Sequence, residues 1–262
     1  MDQNQVVEKL LALDDTVEDF IVTFSGKASK KVDGLYKPDE REIIIHNKNH
    51  ETDNKLIYTA IHEFAHHIQF TTSTKPVSNR AHTRHFWTIF HNLLDRAEEL
   101  GIYENIFETE EAFKELTRNI KENYLHKNGE LMKEFASYLI RAHELCIEHH
   151  ASFDDYMDRV LGLHRSSAKT IMKFQTMDIN PEVGYENMKT VASIKDEDTR
   201  HLAEAAFLKG QSPDMVAEKF KGTDMPESKL EYLMKERDRL ENTLEKITVK
   251  LAQVEQQIQD IE

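Results

Sequence analysis

His62-Glu63-Phe64-Ala65-His66 is the stretch on which the reading of this chain turns. On a helix, residues four apart share a face, so His62 and His66 can present two imidazoles to one metal ion. Glu63 lies beside them, placed to take a proton from water at that metal. An H-E-x-x-H pattern of this kind is the core of a zinc peptidase site. The chain carries 14 histidines, so the pattern alone could arise by chance. Its surroundings argue otherwise. Leu56-Ile57-Tyr58-Thr59-Ala60-Ile61 leads in with apolar residues at helical spacing, Ile68 and Phe70 follow, and no Gly or Pro interrupts the run.

A catalytic zinc takes three protein ligands and keeps a fourth position open. The next Glu after Glu63 is Glu98, whereas histidines are at hand: His82, His85 and His91 compete for the third place. His82 opens a second apolar run, His82-Thr83-Arg84-His85-Phe86-Trp87-Thr88-Ile89-Phe90. H-E-x-x-H, a short loop, then H-[ST/G]-x-x-F-W resembles the SprT-like and WLM group of compact zinc metallopeptidases, over roughly residues 20–100. His82, Thr83, Phe86 and Trp87 fall on the second motif. Thr83 departs from the usual pattern, which has Gly in the SprT branch and Ser in the WLM branch. The resemblance implies that His62, His66 and His82 bind one Zn²⁺ per chain and that Glu63 is the general base. It also implies a small sheet packed beside the H-E-x-x-H helix. A donor for the oxyanion is needed as well, and Tyr58, His85 and Tyr138 are the candidates. The plainer reading of His85 is a surface or supporting histidine.

Composition narrows the classes. The 262 residues allow one to three domains. With 39% hydrophobic and 31% charged residues, 8 Gly and 5 Pro, the chain reads as polar and mostly helical. No apolar stretch approaches the roughly 20 residues of a membrane span, so no membrane partner is expected. Met1-Asp2-Gln3-Asn4-Gln5 lacks the basic start and apolar core of a signal peptide. Cys146 is the single cysteine, which excludes an internal disulfide and fits a reducing, cytoplasmic location. Its apolar neighbours make it a small buried hydrophobe rather than a nucleophile. A net charge of −14 counts against extensive nonspecific binding to nucleic acid.

The expected fold class is α+β, mostly helical. A helix at 6–13 precedes two β-like runs, Asp19–Phe24 and Arg41–His46, with Gly26 and Gly34 at turns and Pro38-Asp39 leading into the second. The H-E-x-x-H helix spans about 55–70, a loop covers 71–81, and a second helix over 83–100 stops at Gly101. Residues 1–105 would form the zincin-like domain. Residues 106–150 read as a helical extension, two helices separated by Asn128-Gly129.

Residues 151–225 read as a helical domain. Asp154–Leu161 forms a helix, Gly162-Leu163 a turn, and Ser166–Lys173 a second helix with a Ser cap. Leu161, Leu163, Ala168 and Ile171 would join the pair. Arg165, Lys169 and Lys173 lie four apart on one basic face. The stretch bears a short resemblance to the helix-turn-helix of ParB-type partition proteins, which makes DNA the expected partner of 153–175; a solvated basic stripe on a helical bundle is the plainer reading. Further helices fall at 184–193 and 196–209, and Gly210-Gln211-Ser212-Pro213 looks like another helix start.

Over residues 226–262, Leu230, Arg237, Leu244, Leu251 and Ile258 alternate in 3-4 spacing with Leu233, Leu240, Ile247, Val254 and Ile261. This is a coiled-coil pattern and predicts a homo-oligomer through 228–262. The functional expectation is a cytosolic zinc-dependent endopeptidase acting on proteins or peptides, DNA-associated proteins among them. The alternative is a DNA-binding regulator in which the peptidase-like domain is a sensor or cleaves a repressor.

Overall fold

Helix α1 (Gln3–Leu13) begins at a reciprocal cap. The Asp2 carboxylate accepts from the Gln5 backbone N–H at 3.0 Å, and the Gln5 side chain accepts from the Asp2 N–H at 2.9 Å. Val6, Leu10 and Leu13 recur at helical spacing and are buried. Three short strands follow: β1 (Ile21–Phe24), β2 (Gly34–Lys37) and β3 (Glu42–Ile45). Their order is β1-β3-β2, with β3 parallel to β1 and antiparallel to β2. Ile43 and Ile45 alternate onto the buried face. In this computed structural model, residues 1–73, 77, 81–220 and 229–259 are described.

Helix α2 (Asp53–Thr72) starts at Thr52, whose hydroxyl accepts from the Lys55 N–H, and lies across the sheet. Ile57, Ile61 and Phe64 are wholly buried against it, each worth on the order of 2 kcal/mol. Helix α3 (Arg84–Glu99) starts at Thr83 and adds Phe86 and Phe90 to the same core. The expected strands and both helices therefore stand within a few residues of the ranges read from the sequence. Strand β2 was not expected. Gly34, read as a turn, is its first residue. The loop expected at 71–81 lies partly outside the described residues, at 74–76 and 78–80.

A second core is built from helices alone. After α4 (Ile106–Thr109) and α5 (Glu111–Ile120), a π turn over Lys121–His126 runs straight into α6 (Lys127–Glu148). The break expected at Asn128-Gly129 does not occur. Gly129 is buried inside the first turns of α6, where any side chain would strike the Pro181 carbonyl. Then come α7 (Phe153–Asp155) with a π turn at Tyr156–Val160, α8 (Arg165–Thr176), α9 (Tyr185–Val191), α10 (Glu197–Leu208) and α11 (Pro213–Phe220).

Ala136 and Leu139 of α6 share one cluster with Met157, Ala168, Ile171, Phe174, Val191 and Val216. So α6 is part of this core, and Ala168 and Ile171 pack into the bundle. Leu161 is left exposed. The cap of α8 is the His164 side chain rather than a serine.

Helix α12 (Lys229–Gln259) is the expected long tail helix. Its apolar stripe, Leu230, Leu233, Leu240, Leu244, Ile247, Leu251, Val254 and Ile258, is exposed throughout. Ile261 and the residues just before α12 lie outside the described residues. Among the described residues no helix is long and apolar enough to cross a membrane.

Candidate metal centre

One turn of α2 separates His62 from His66, and the two imidazoles point the same way. His82 stands just ahead of the Thr83 cap of α3 and reaches back to both. Its Nε2 lies 3.0 Å from His62 Nε2 and 3.1 Å from His66 Nε2. The arrangement is difficult to satisfy with hydrogen bonds. A ring nitrogen carries either one proton or one in-plane lone pair, so His82 Nε2 can serve one neighbour well but not two. A cation removes the conflict, because all three nitrogens then offer lone pairs to one point. Tetrahedral ligands about 2.05 Å from a zinc ion lie about 3.3 Å apart, close to the spacing here. The donor set therefore fits a metal of zinc type, and among the described residues this is the single cluster of that kind.

Electrostatics favour neutral imidazoles at His62 and His66, the form a metal would require. Burial, then the neighbouring His66 and His82, pushes His62 down to about 4. Burial and His82 push His66 down to about 4 as well, against a smaller opposing effect of Gln69. The second motif supplies the walls. Phe86 stacks on His66 with ring centres 4.2 Å apart, and Trp87 stacks on His82 at 5.7 Å.

Glu63 faces the same cleft. It is nearly buried, and desolvation lifts its carboxyl to about 7, opposed by a hydrogen bond from the Tyr36 backbone N–H. That bond follows from the sheet register. The His46 N–H donates to the Asp33 carbonyl, so in the antiparallel β2–β3 pair Gly34 and Tyr36 direct their backbone groups away from β3, to the free edge. The free edge of β2 thus runs along the metal cleft. The contact is close: a Cβ on Gly34 would sit 2.8 Å from Glu63 Cγ and 2.9 Å from both Glu63 Oε1 and Thr59 Cγ2. The cavity, about 480 Å³, is lined by the three histidines and Glu63 together with Gly34, Leu35, Tyr58 and Phe70.

A further layer holds these groups. His67 is wholly buried on the opposite side of α2, with Nε2 2.8 Å from the Glu18 carbonyl and Nδ1 3.0 Å from the Tyr36 hydroxyl. A carbonyl only accepts, so Nε2 carries the proton and Nδ1 accepts from Tyr36. Burial pushes the Tyr36 phenol up to about 12 and His67 down, so both stay neutral. Gln69 is also buried. Its Nε2 donates to the Ala81 carbonyl at 2.9 Å and to Thr83 Oγ1 at 3.0 Å, the residues on either side of His82.

The other sequence candidates separate clearly. Tyr58 lines the cleft. His85 faces away, with Nδ1 3.4 Å from Glu218 on α11, and His91 Nδ1 meets Ser212 Oγ at 2.8 Å. Both are engaged with the second core, not with the triad. Tyr138 is 67% exposed on α6 and does not line the cleft. On α8, Arg165 is paired with Asp158, and Lys169 lies 3.7 Å from Asp154. Lys173 is exposed on the same helix. Gly34, Tyr36, His67 and Gln69 were not singled out from sequence. Gln69, three residues after His66 on the same helix, carried the one usable signal. Comparison with family models, curated proteins and solved structures found no match to this chain.

Proposed function

We propose that the protein is a zinc-dependent metallopeptidase that hydrolyses peptide bonds of proteins or peptides. The observation that carries this reading is the convergence of His62, His66 and His82 at 3.0 and 3.1 Å in one cleft with Glu63. A structural site would have no need of that carboxylate. When bound, zinc supplies a Lewis acid that acidifies water and polarises a carbonyl. The chain's own groups do the rest. Glu63 takes one proton from the attacking water as its oxygen bonds to the carbonyl carbon. The same carboxyl then passes the proton to the nitrogen as the C–N bond breaks, leaving a carboxylic acid and an amine, which exchange the second proton of the water to become carboxylate and ammonium.

The free edge of β2 offers backbone groups to an extended peptide, which would lie as a further strand beside it. Tyr58, which lines the cleft, is the candidate donor to the oxyanion. The exposed stripe of α12 supports self-association through a coiled coil.

The test is metal analysis with a proteolysis assay. About one zinc per chain is expected. Glu63→Gln should keep zinc and lose hydrolysis, while His82→Ala should lose or weaken the metal. Near-wild-type activity in Glu63→Gln removes the mechanism, and normal zinc in His82→Ala removes the third ligand.

A further inference from the structure

The geometry points to Gln69 as the positioning residue that locks the two halves of the metal site together. This rests on the zinc reading above. Two ligands, His62 and His66, belong to α2, whereas the third arrives on a separate segment just ahead of α3. Something must hold that segment in register with α2. Among the described residues, the side chain of Gln69 spans the junction.

One end of its amide grips the third ligand's segment. Nε2 donates both its protons, to the Ala81 carbonyl and to Thr83 Oγ1, and so brackets His82 from both sides. The amide cannot be reversed, because its oxygen would then face the Ala81 carbonyl, acceptor against acceptor. The orientation leaves Oε1 buried with no hydrogen-bond partner. His66 Nδ1, one turn back on the same face of α2, is also buried with no hydrogen-bond partner. These two atoms complement each other. With Nε2 of His66 given to a metal, Nδ1 carries the proton and needs an acceptor, and metal-bound histidines regularly find one in this way.

Thr83 is the other half of the device. Its hydroxyl caps α3 by accepting from the Phe86 N–H at 3.3 Å while also accepting from Gln69. A serine hydroxyl would do the same, and glycine would not. The threonine at this position is therefore tied to the glutamine on α2.

The experiment measures zinc affinity of the full chain by competition with a chromophoric chelator, and the visible spectrum of the cobalt-substituted protein. Gln69→Leu keeps bulk and removes both functions. Gln69→Glu keeps an oxygen beside His66 but removes the donors to Ala81 and Thr83. Both should weaken zinc by about 10- to 100-fold and alter the cobalt bands, with the helical signal of the metal-free protein intact. Either folded variant binding zinc within about threefold of wild type, with unchanged cobalt bands, overturns the assignment. If Gln69→Leu fails to fold, Gln69→Glu decides by the same criterion. Wild-type protein that binds no zinc defeats the metal reading itself, and the clamp with it. Loss of zinc in His82→Ala with full affinity in both Gln69 variants defeats the clamp alone.

Discussion

Gly34→Ala puts the geometry of the cleft to its most direct test. The backbone at Gly34 is ordinary extended strand, so alanine is conformationally acceptable there; the obstacle is space. The new methyl would meet Glu63 Cγ at 2.8 Å, whereas carbon atoms settle at about 3.5–4.0 Å. One of the two must give way by about 0.7 Å or more. Strand β2 is pinned to β3 through its register from Gly34 to Lys37, and Thr59 Cγ2 blocks a second direction at 2.9 Å. Glu63 is therefore displaced. A shift of about 1 Å in a catalytic group costs roughly 100-fold in rate, and overpacking costs about 1–3 kcal/mol of stability. The atoms nearest the new methyl belong to Glu63 and Thr59 rather than to the three histidines, so zinc content should hold. Hydrolysis of a dye-labelled unfolded protein, zinc content and urea unfolding should be measured on the same preparation. Wild-type turnover in Gly34→Ala would refute the argument, as would loss of zinc in step with activity.

Glu63→Gln should alter the pH dependence of stability in the metal-free protein. The carboxyl titrates at about 4.5 when unfolded and about 7 when folded. Below pH 4.5 it is neutral in both states; between 4.5 and 7 only the unfolded chain ionises, so wild type loses up to about 3 kcal/mol on the way up and nothing further above 7. Glu63→Gln should lack that loss, and parallel curves from urea melts would count against a desolvated carboxyl. Tyr36→Phe strands the buried lone pair of His67 Nδ1 and should cost about 1–3 kcal/mol with zinc retained; an unchanged melting temperature would contradict the pairing. Deleting residues 229–262 should reduce the particle mass seen by light scattering without loss of zinc. A full-length chain that is already monomeric would rule out the coiled coil.

The three clustered histidines were legible because their information is local. Four-residue spacing fixes His62 and His66 on one face, and the apolar run after His82 announces a second helix. The supporting groups were not legible, because their roles exist only after the chain has folded. Gln69 acquires its partners from Ala81 and Thr83, and His67 from Glu18 and Tyr36. Strand β2 escaped notice because Gly34-Leu35-Tyr36-Lys37 is short and opens with glycine, which sequence reading takes for a turn. Here glycine serves close approach to Glu63 instead. Gly129 misled in the same way. The residue that reads as a helix break is needed where the Pro181 carbonyl presses on α6.

Fifteen residues of chain lie between His66 and His82 along the sequence. Bringing the ends of such a loop together costs about 2.5 kcal/mol of configurational freedom. In the folded chain that cost is already met, whereas in the unfolded chain it would fall on binding, so a metal taking all three nitrogens would prefer the folded state by roughly 70-fold from this contribution. Metal supply then becomes a determinant of lifetime. At a free concentration a thousandfold above the dissociation constant, the bound ion would add about 4 kcal/mol to the folded state. With metal scarce, the same chain would open more often between the end of α2 and His82, exposing that junction to proteolysis. Abundance of the protein would follow metal availability before any change in its synthesis.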